Sequence, residues 1–226
     1  MTILELVVAS GLRGVKLGDL AKALAAPKSS LHALTKGLVA TGYLREADGA
    51  YVVGPAISSL ITTESVAAQF AYRHILSDLA ARWNETAMLS SLVGDSVVYL
   101  DSAAPETLIR ANPTLNRRLV LWPRSSGRVF LAFMDAKRFE GYLRRQHPEP
   151  SDAEYVRSEV ARTRETHIGI NVGQSGTDHI GVAVPIFVGQ APVTMSLAMA
   201  GPRSRMEDKV DEIAADMLAA AGSITG

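Results

Sequence analysis

Residues 28–38 read Lys28-Ser29-Ser30-Leu31-His32-Ala33-Leu34-Thr35-Lys36-Gly37-Leu38. Leu31, Leu34 and Leu38 recur at i, i+3 and i+7, which gathers apolar side chains on one face of a helix. Turned away from them are Lys28, Ser29, Ser30, His32, Ala33, Thr35 and Lys36. A serine at the start can cap the first amides. Hydroxyls and a lysine at a helix N-terminus suit phosphate, and His32, Ala33 and Lys36 lie where base edges could be met.

The flanking sequence supplies the rest of a helix-turn-helix. Upstream, Leu17, Leu20, Ala21 and Leu24 mark a second short helix, and Ala25-Ala26-Pro27 breaks it because proline cannot continue the hydrogen-bond ladder. Ile3, Leu4, Val7 and Val8 mark a first helix that Gly11 and Gly14 end. Downstream, Gly42 stops the third helix. Tyr43–Glu46 and Tyr51–Val53 then read as strands joined at Ala47-Asp48-Gly49-Ala50, where Asp-Gly is a strong hairpin signal. Arg45 opens this wing and can reach a DNA backbone. Residues 1–55 therefore predict a winged helix-turn-helix that docks its third helix in the major groove. The first 60 residues hold six lysines and arginines against four acids, a weak electrostatic footprint that favours a dimer presenting two such helices. A helical protein-interaction module is the alternative reading of the same pattern.

Residues 56–65 read as a linker helix, with an amphipathic stretch over 57–63. Residues 66–226 read as a second domain opened by a long helix from Val66 to Trp83. On that helix Phe70, Tyr72, Ile75, Leu76 and Leu79 are expected to form core or dimer contacts. Ala87–Val93 and Ser96–Leu100 form a predicted hairpin about Gly94-Asp95. Further strands are expected at 108–111, 119–122, 180–187 and 193–200, and helices at 126–134, 136–145, 153–166 and 206–221. Strands with intervening helices make the whole chain α+β.

Composition narrows the chemistry. The 226 residues include no cysteine, which excludes disulfides, thiolate metal sites and a cysteine nucleophile. Formal net charge is zero, so any DNA-binding surface is local. No apolar run approaches the roughly 20 residues that span a bilayer. With no export signal in the first residues, a cytoplasmic protein without membrane partners is expected. His32, His74, His147, His167 and His179 form no compact metal spacing, and Ser125-Ser126-Gly127 is not a nucleophile elbow. Asp178-His179 reads as a polar pair at a strand edge, and the mixed charges of 157–164 as a solvated helix face. The sequence thus points to no enzyme, cofactor or metal.

Several segments in order resemble the IclR family of bacterial regulators. They are Val15–Leu24, Pro27–Leu34, Thr41–Leu44 and Tyr51–Gly54 in the first domain, and Asn84–Leu89, Val97–Asp101, Ser126–Phe133, Gly181–Phe187 and Ser196–Pro202 in the second. The resemblance implies a winged helix-turn-helix, a linker helix and a GAF-like effector-binding domain. It also implies a cytoplasmic homodimer or homotetramer, a repressor or activator of catabolic genes, whose partners are a double-stranded operator and a small-molecule effector. Carried over to this sequence, the effector pocket is lined by Leu121, Trp122, Asn171, His179, Gly181, Ala198 and Ala200, with Ser125, Ser126 and Ser196 as polar neighbours. Five positions depart from the family's pattern. Ala33 stands where an arginine is common, Arg128 follows Gly127 in place of lysine, Trp122 replaces a frequent histidine, and Ala198 and Ala200 replace small polar residues. Leu121, Trp122 and two alanines imply an apolar pocket suited to a small organic acid, aromatic ones included. The competing expectation is that Trp122 closes the pocket and leaves a ligand-free dimerisation or protein-contact module.

Overall fold

The structure is a computed structural model that describes residues 2–54, 56, 66–174, 176 and 178–224. The chain separates into two compact units, 1–69 and 70–226. Most of the expected linker, residues 57–65, lies outside the described residues.

In the first unit α1 (Ile3–Ala9), α2 (Leu17–Leu24) and α3 (Lys28–Ala40) precede a hairpin of β1 (Leu44–Ala47) and β2 (Ala50–Val53). Thr2 and Glu5 form a capping box on α1, satisfying two otherwise unpaired amides. Asp48 and Gly49 both have positive φ, as a two-residue hairpin turn requires. Val15 exchanges two backbone hydrogen bonds with Tyr51, tying the segment before α2 to the wing. Ile3, Val7, Leu20, Leu31, Leu44 and Tyr51 form the core of this unit.

Three expectations for α3 change. Leu34 is 58% exposed and Thr35 is fully buried, so the inward face runs Leu31, Thr35, Leu38 and not Leu31, Leu34, Leu38. An i, i+4, i+7 stripe fits the helix as well as i, i+3, i+7, and here the inner threonine satisfies its hydroxyl on the His32 carbonyl at 3.1 Å. The helix also starts without a serine cap. Pro27 occupies the capping position, its ring fixing φ near −60°, and no side chain caps the first amides.

The second unit is a six-stranded antiparallel sheet, ordered β5-β4-β3-β8-β7-β6. Its strands are β3 (Thr86–Val93), β4 (Ser96–Ala103), β5 (Arg118–Val120), β6 (Gly169–Val172), β7 (His179–Ile186) and β8 (Met195–Pro202). Its helices are α4 (Val66–Trp83), α5 (Ser125–Phe133), α6 (Ala136–Gln146), α7 (Pro150–Thr166), the short α8 (Arg203–Met206) and α9 (Val210–Ser223). The strand predicted at 108–111 is irregular loop, and β6 was not anticipated. Strand alternation divides the residues between the two faces. Met88, Ala183, Ala198 and Ala200 share a core with α5. Val182, Val184, Leu197 and Met199 alternate with them, and α9 packs on the same two strands. At the end of α4, Arg82 and Trp83 both donate to Asp216 of α9, at 2.5 and 2.8 Å. Of the aromatic and aliphatic residues expected inside on α4, Tyr72, Leu76 and Leu79 are buried, whereas Phe70 is exposed.

Gly127 lies so close to the preceding turn that a Cβ would overlap the Leu121 carbonyl, whereas a Cβ on Gly18 in α2 meets nothing. Gly127→Ala should therefore cost more than about 2 kcal/mol, while Gly18→Ala should add about 0.5–1 kcal/mol of stability. Denaturant unfolding of the two variants checks both signs.

Candidate functional site

The expected DNA-reading side chains are largely where the sequence puts them. Lys28, Ser29, Ser30, His32, Ala33 and Lys36 are all exposed along α3, and Arg45 is exposed on β1 opposite Val52. Thr35 is the correction: it is buried and belongs to the core. On the same unit an open groove of about 880 Å³ runs between α1 and α3, walled by Ile3, Leu4, Leu24, Leu31 and Leu34. Its walls are overwhelmingly apolar, and among the described residues its polar lining is Thr2, Thr41 and Tyr43 with no charged side chain, so it holds no counter-charge for an ionic ligand.

A cavity of about 390 Å³ lies in the second unit. Its floor is the α5 side of the sheet: Met88, Asn171, Gly181 and Ala200, with His179 at the start of β7. Arg124 and Ser125, at the N-terminus of α5, close one side, and Tyr99 and Leu119 close another. Ala111, Asn112, Pro113 and Thr114, from the loop between β4 and β5, complete the wall. Small residues make the space. A Cβ on Gly181 would meet Ser125 Oγ at 3.0 Å and would lie 3.7 Å from His179 Nε2, so the serine and histidine flank the same bare patch of strand.

One end of the cavity is electropositive. Arg124 occupies the capping position of α5, where backbone amides point outward and the helix dipole is positive. Burial pushes the His179 imidazole below its usual range, and the nearby Arg124 guanidinium pushes it further in the same direction. Burial raises the Tyr99 phenol, partly offset by Arg124. Arg124 thus lies within electrostatic reach of both groups. Ser126 is fully buried close to Tyr99, and its hydroxyl makes no hydrogen bond of good geometry. No carboxylate is among the described lining residues.

Five of the ten expected lining residues meet there: Ser125, Asn171, His179, Gly181 and Ala200. The other five lie elsewhere. Leu121 and Ala198 are in the core, and Ser196 Oγ is 2.6 Å from Ser90 Oγ inside the sheet. Ser126 sits beneath the wall. Trp122 turns away altogether, its ring 4.2 Å from Arg128 Cζ and edge-on to Tyr155 and His147. Arg128 is 2% exposed and is held by Glu159, Gln174 and the Pro123 carbonyl, so part of the expected solvated face of α7 answers a buried charge. Sequence reading missed Arg124, Tyr99, Met88, Leu119 and the Ala111–Thr114 loop. The only available signal was Arg124 immediately before the Ser125-Ser126 helix start.

The other histidines do not build a second site. His74 neighbours Asp78, His147 pairs with Asp152 at 2.6 Å, and His167 meets Phe133 edge-on and Phe187 at a tilt in a three-ring cluster. Among the described residues no three His, Cys, Asp or Glu side chains gather as a metal site, and no helix is long and apolar enough to cross a membrane.

Comparison with known proteins agrees with this two-part arrangement. Residues 1–48 match the IclR helix-turn-helix domain and residues 62–225 match the bacterial transcriptional regulator IclR C-terminal domain. The chain is 28% identical over 205 residues to the probable transcriptional regulator SauR of Cupriavidus necator, covering 85% of this chain and 80% of that one. It is 25% identical over 204 residues to the HTH-type transcriptional regulator XynR of Escherichia coli, covering 86% and 81%. An IclR-type regulator structure from a Silicibacter species superposes with a TM-score of 0.79 at 27% identity, over 93% of this chain and 87% of that one. An IclR homologue from Microbacterium hydrocarbonoxydans, solved with 4-hydroxybenzoate, shares the fold with a TM-score of 0.73 at 20% identity, over 99% and 98%. The chain belongs to the IclR family of bacterial transcriptional regulators, DNA-binding proteins with an N-terminal helix-turn-helix.

Proposed function

We propose that this regulator controls catabolic genes in response to a small organic anion, an aromatic carboxylate being the best fit. The observation that carries the reading is the cavity's charge. Arg124 and His179 face it together with the Tyr99 and Ser125 hydroxyls, and no acid among the described lining residues balances them. A cation in a partly dry cavity is stabilised by an opposite charge, and hydrogen bonds to charged groups contribute about 1.5–3 kcal/mol each. Met88, Leu119, Pro113 and Ala200 supply apolar wall for a flat hydrocarbon body. The size suits a ligand of one ring, and the 4-hydroxybenzoate held by a relative of the same fold is a molecule of that kind. Trp122, which could have closed the space, is engaged with Arg128 instead, which argues against a ligand-free contact module.

DNA is read by α3 and the wing, with Lys28 and Arg45 on phosphates and His32, Ala33 and Lys36 near base edges. The modest positive charge of this domain supports a homodimer or a dimer of dimers on a two-fold operator, and a repressor or an activator can both be built on that arrangement. The six-stranded sheet with helices on both faces supports a GAF-like reading of the effector domain.

Arg124→Gln should weaken 4-hydroxybenzoate or benzoate binding by about tenfold or more in calorimetry, with little change in thermal midpoint. Equal affinity for the variant and the wild type would sink the anion reading. The pH dependence follows from His179, whose imidazole is held below its ordinary value by burial and then by Arg124. A bound anion favours the imidazolium, so binding takes up a proton, and affinity should rise as pH falls from about 8 to about 5.5 while the ligand stays ionised. His179→Gln should flatten that dependence. On DNA, Lys28→Gln and Arg45→Gln should each lower the slope of log affinity against log salt by about 1. His32→Ala should instead change the sequences recovered from a random duplex library.

A further inference from the structure

The cavity wall has one part that the sheet does not hold. Residues 104–117, between β4 and β5, form no helix or strand, yet Ala111–Thr114 line the cavity. Apolar burial does little for this segment, since Leu108 is 96% and Ile109 69% exposed. It is tethered through its backbone. Thr86 Oγ1 donates to the Ala111 carbonyl at 2.7 Å, the Asn116 amide donates to Tyr99 at 2.9 Å, and Arg205 Nη2 donates to the Ile109 carbonyl at 3.0 Å.

The last tether has a support of its own. Arg205 of α8 forks onto Glu85, with Nε–Oε1 at 2.5 Å and Nη2–Oε2 at 2.9 Å. Glu85 is 2% exposed, so its carboxylate depends on that partner. Its seat exists because residue 201 is glycine: a Cβ there would overlap the carboxylate. The guanidinium is planar and rigid, so once its Nε and Nη2 donors are fixed on Glu85, the second Nη2 hydrogen, which serves Ile109, is fixed as well. Glu85 begins the chain into β3, and Arg205 follows directly on β8, the strand that carries Ala200 into the cavity.

We propose that Glu85 and Arg205 are positioning residues for the effector cavity, a latch that holds the 104–117 loop over it through the Ile109 carbonyl. Neither residue lines the cavity; each acts by way of the loop. The inference rests on the cavity being the effector site, but the latch can be tested without a ligand.

The experiment is hydrogen exchange by mass spectrometry on the full chain, together with 4-hydroxybenzoate binding kinetics. Arg205→Gln should speed exchange across 104–117 by about tenfold or more and leave the β7 strand unchanged. The probe should then dissociate faster by a comparable factor. Arg205→Lys keeps a charge for Glu85 but loses the fork, so it should retain most of the thermal midpoint and still lose loop protection. Gly201→Ala, which unseats the carboxylate, should give the same loose loop. If Arg205→Gln unfolds as a whole, the lysine variant carries the test. Unchanged exchange at 104–117 in a folded Arg205→Lys protein overturns the latch, whatever the wild type binds. A wild type that binds no anionic probe, with a loop that still loosens in the variants, overturns the effector reading and leaves the latch standing.

Discussion

The close seating of α5 on the turn before it and on the sheet is the constraint on which the C-terminal domain depends, and missing side chains set it. A Cβ on Gly127 would strike the Leu121 carbonyl, one on Gly169 would strike the Ser125 carbonyl, and one on Gly181 would crowd Ser125 Oγ. With hydrogen at those places, the first turn of α5 seats against β6 and β7 near van der Waals contact. That seating brings Arg124 and Ser125 to the cavity edge and aligns the open end of a helix with the floor of the sheet. Packing and electrostatics are therefore one feature here. A helix displaced outward by a methyl group would lose contacts along its buried face and would also carry its positive end away from His179.

The second structural commitment is the buried guanidinium of Arg128. A charge this deep is tolerated only when it is paired and its donors are used, and Glu159, Gln174 and the Pro123 carbonyl do both. The Trp122 face adds a cation–π contact worth about 0.5–2 kcal/mol. The consequence for the site is indirect. Trp122 is recruited to the α7 side of the domain, against Tyr155 and His147, and the cavity it could have filled remains open. An arginine in place of lysine after Gly127 is thus not a neutral exchange, since only the planar group can stack on an indole and bond sideways at once.

These two features also explain what sequence reading could and could not reach. Periodicity found the helices and most of the sheet, because long apolar stripes and period-two alternation survive any tertiary context. It misassigned Leu34 and Thr35, since a leucine and a threonine one residue apart fit two equally regular stripes and composition favours the wrong one. It made a strand of 108–111, where two apolar residues are instead exposed on a loop tethered by its backbone. At the site, Asn171, Gly181 and Ala200 were legible through the family resemblance, and the strand register sets them side by side, Asn171 opposite Gly181 and Gly181 opposite Ala200. Leu121 goes into the core instead, and Trp122 was not legible because its direction is decided by Arg128 and Glu159, 31 residues apart in sequence. Arg124 had no periodic signature. Its importance comes from standing at a helix start above a strand contributed by residues more than 50 positions later.

A regulator must do more than bind its effector: the ligand has to prefer one conformation over another, since equal affinity shifts nothing. The cavity wall divides in just this respect. Met88, Gly181 and Ala200 sit in the middle of paired strands and cannot move without breaking ladders on both sides. Ala111–Thr114 belong to a segment fixed by a few hydrogen bonds, each of net worth about 1 kcal/mol, or more where a charged group donates. Were an anion to bind at Arg124 as proposed, its free energy would be stored in the sheet only as strain, but in the loop it would become a change of population. In the proposed effector cavity the sheet side is rigid, and the part free to report a ligand is the loop that carries the exposed Leu108 and Ile109.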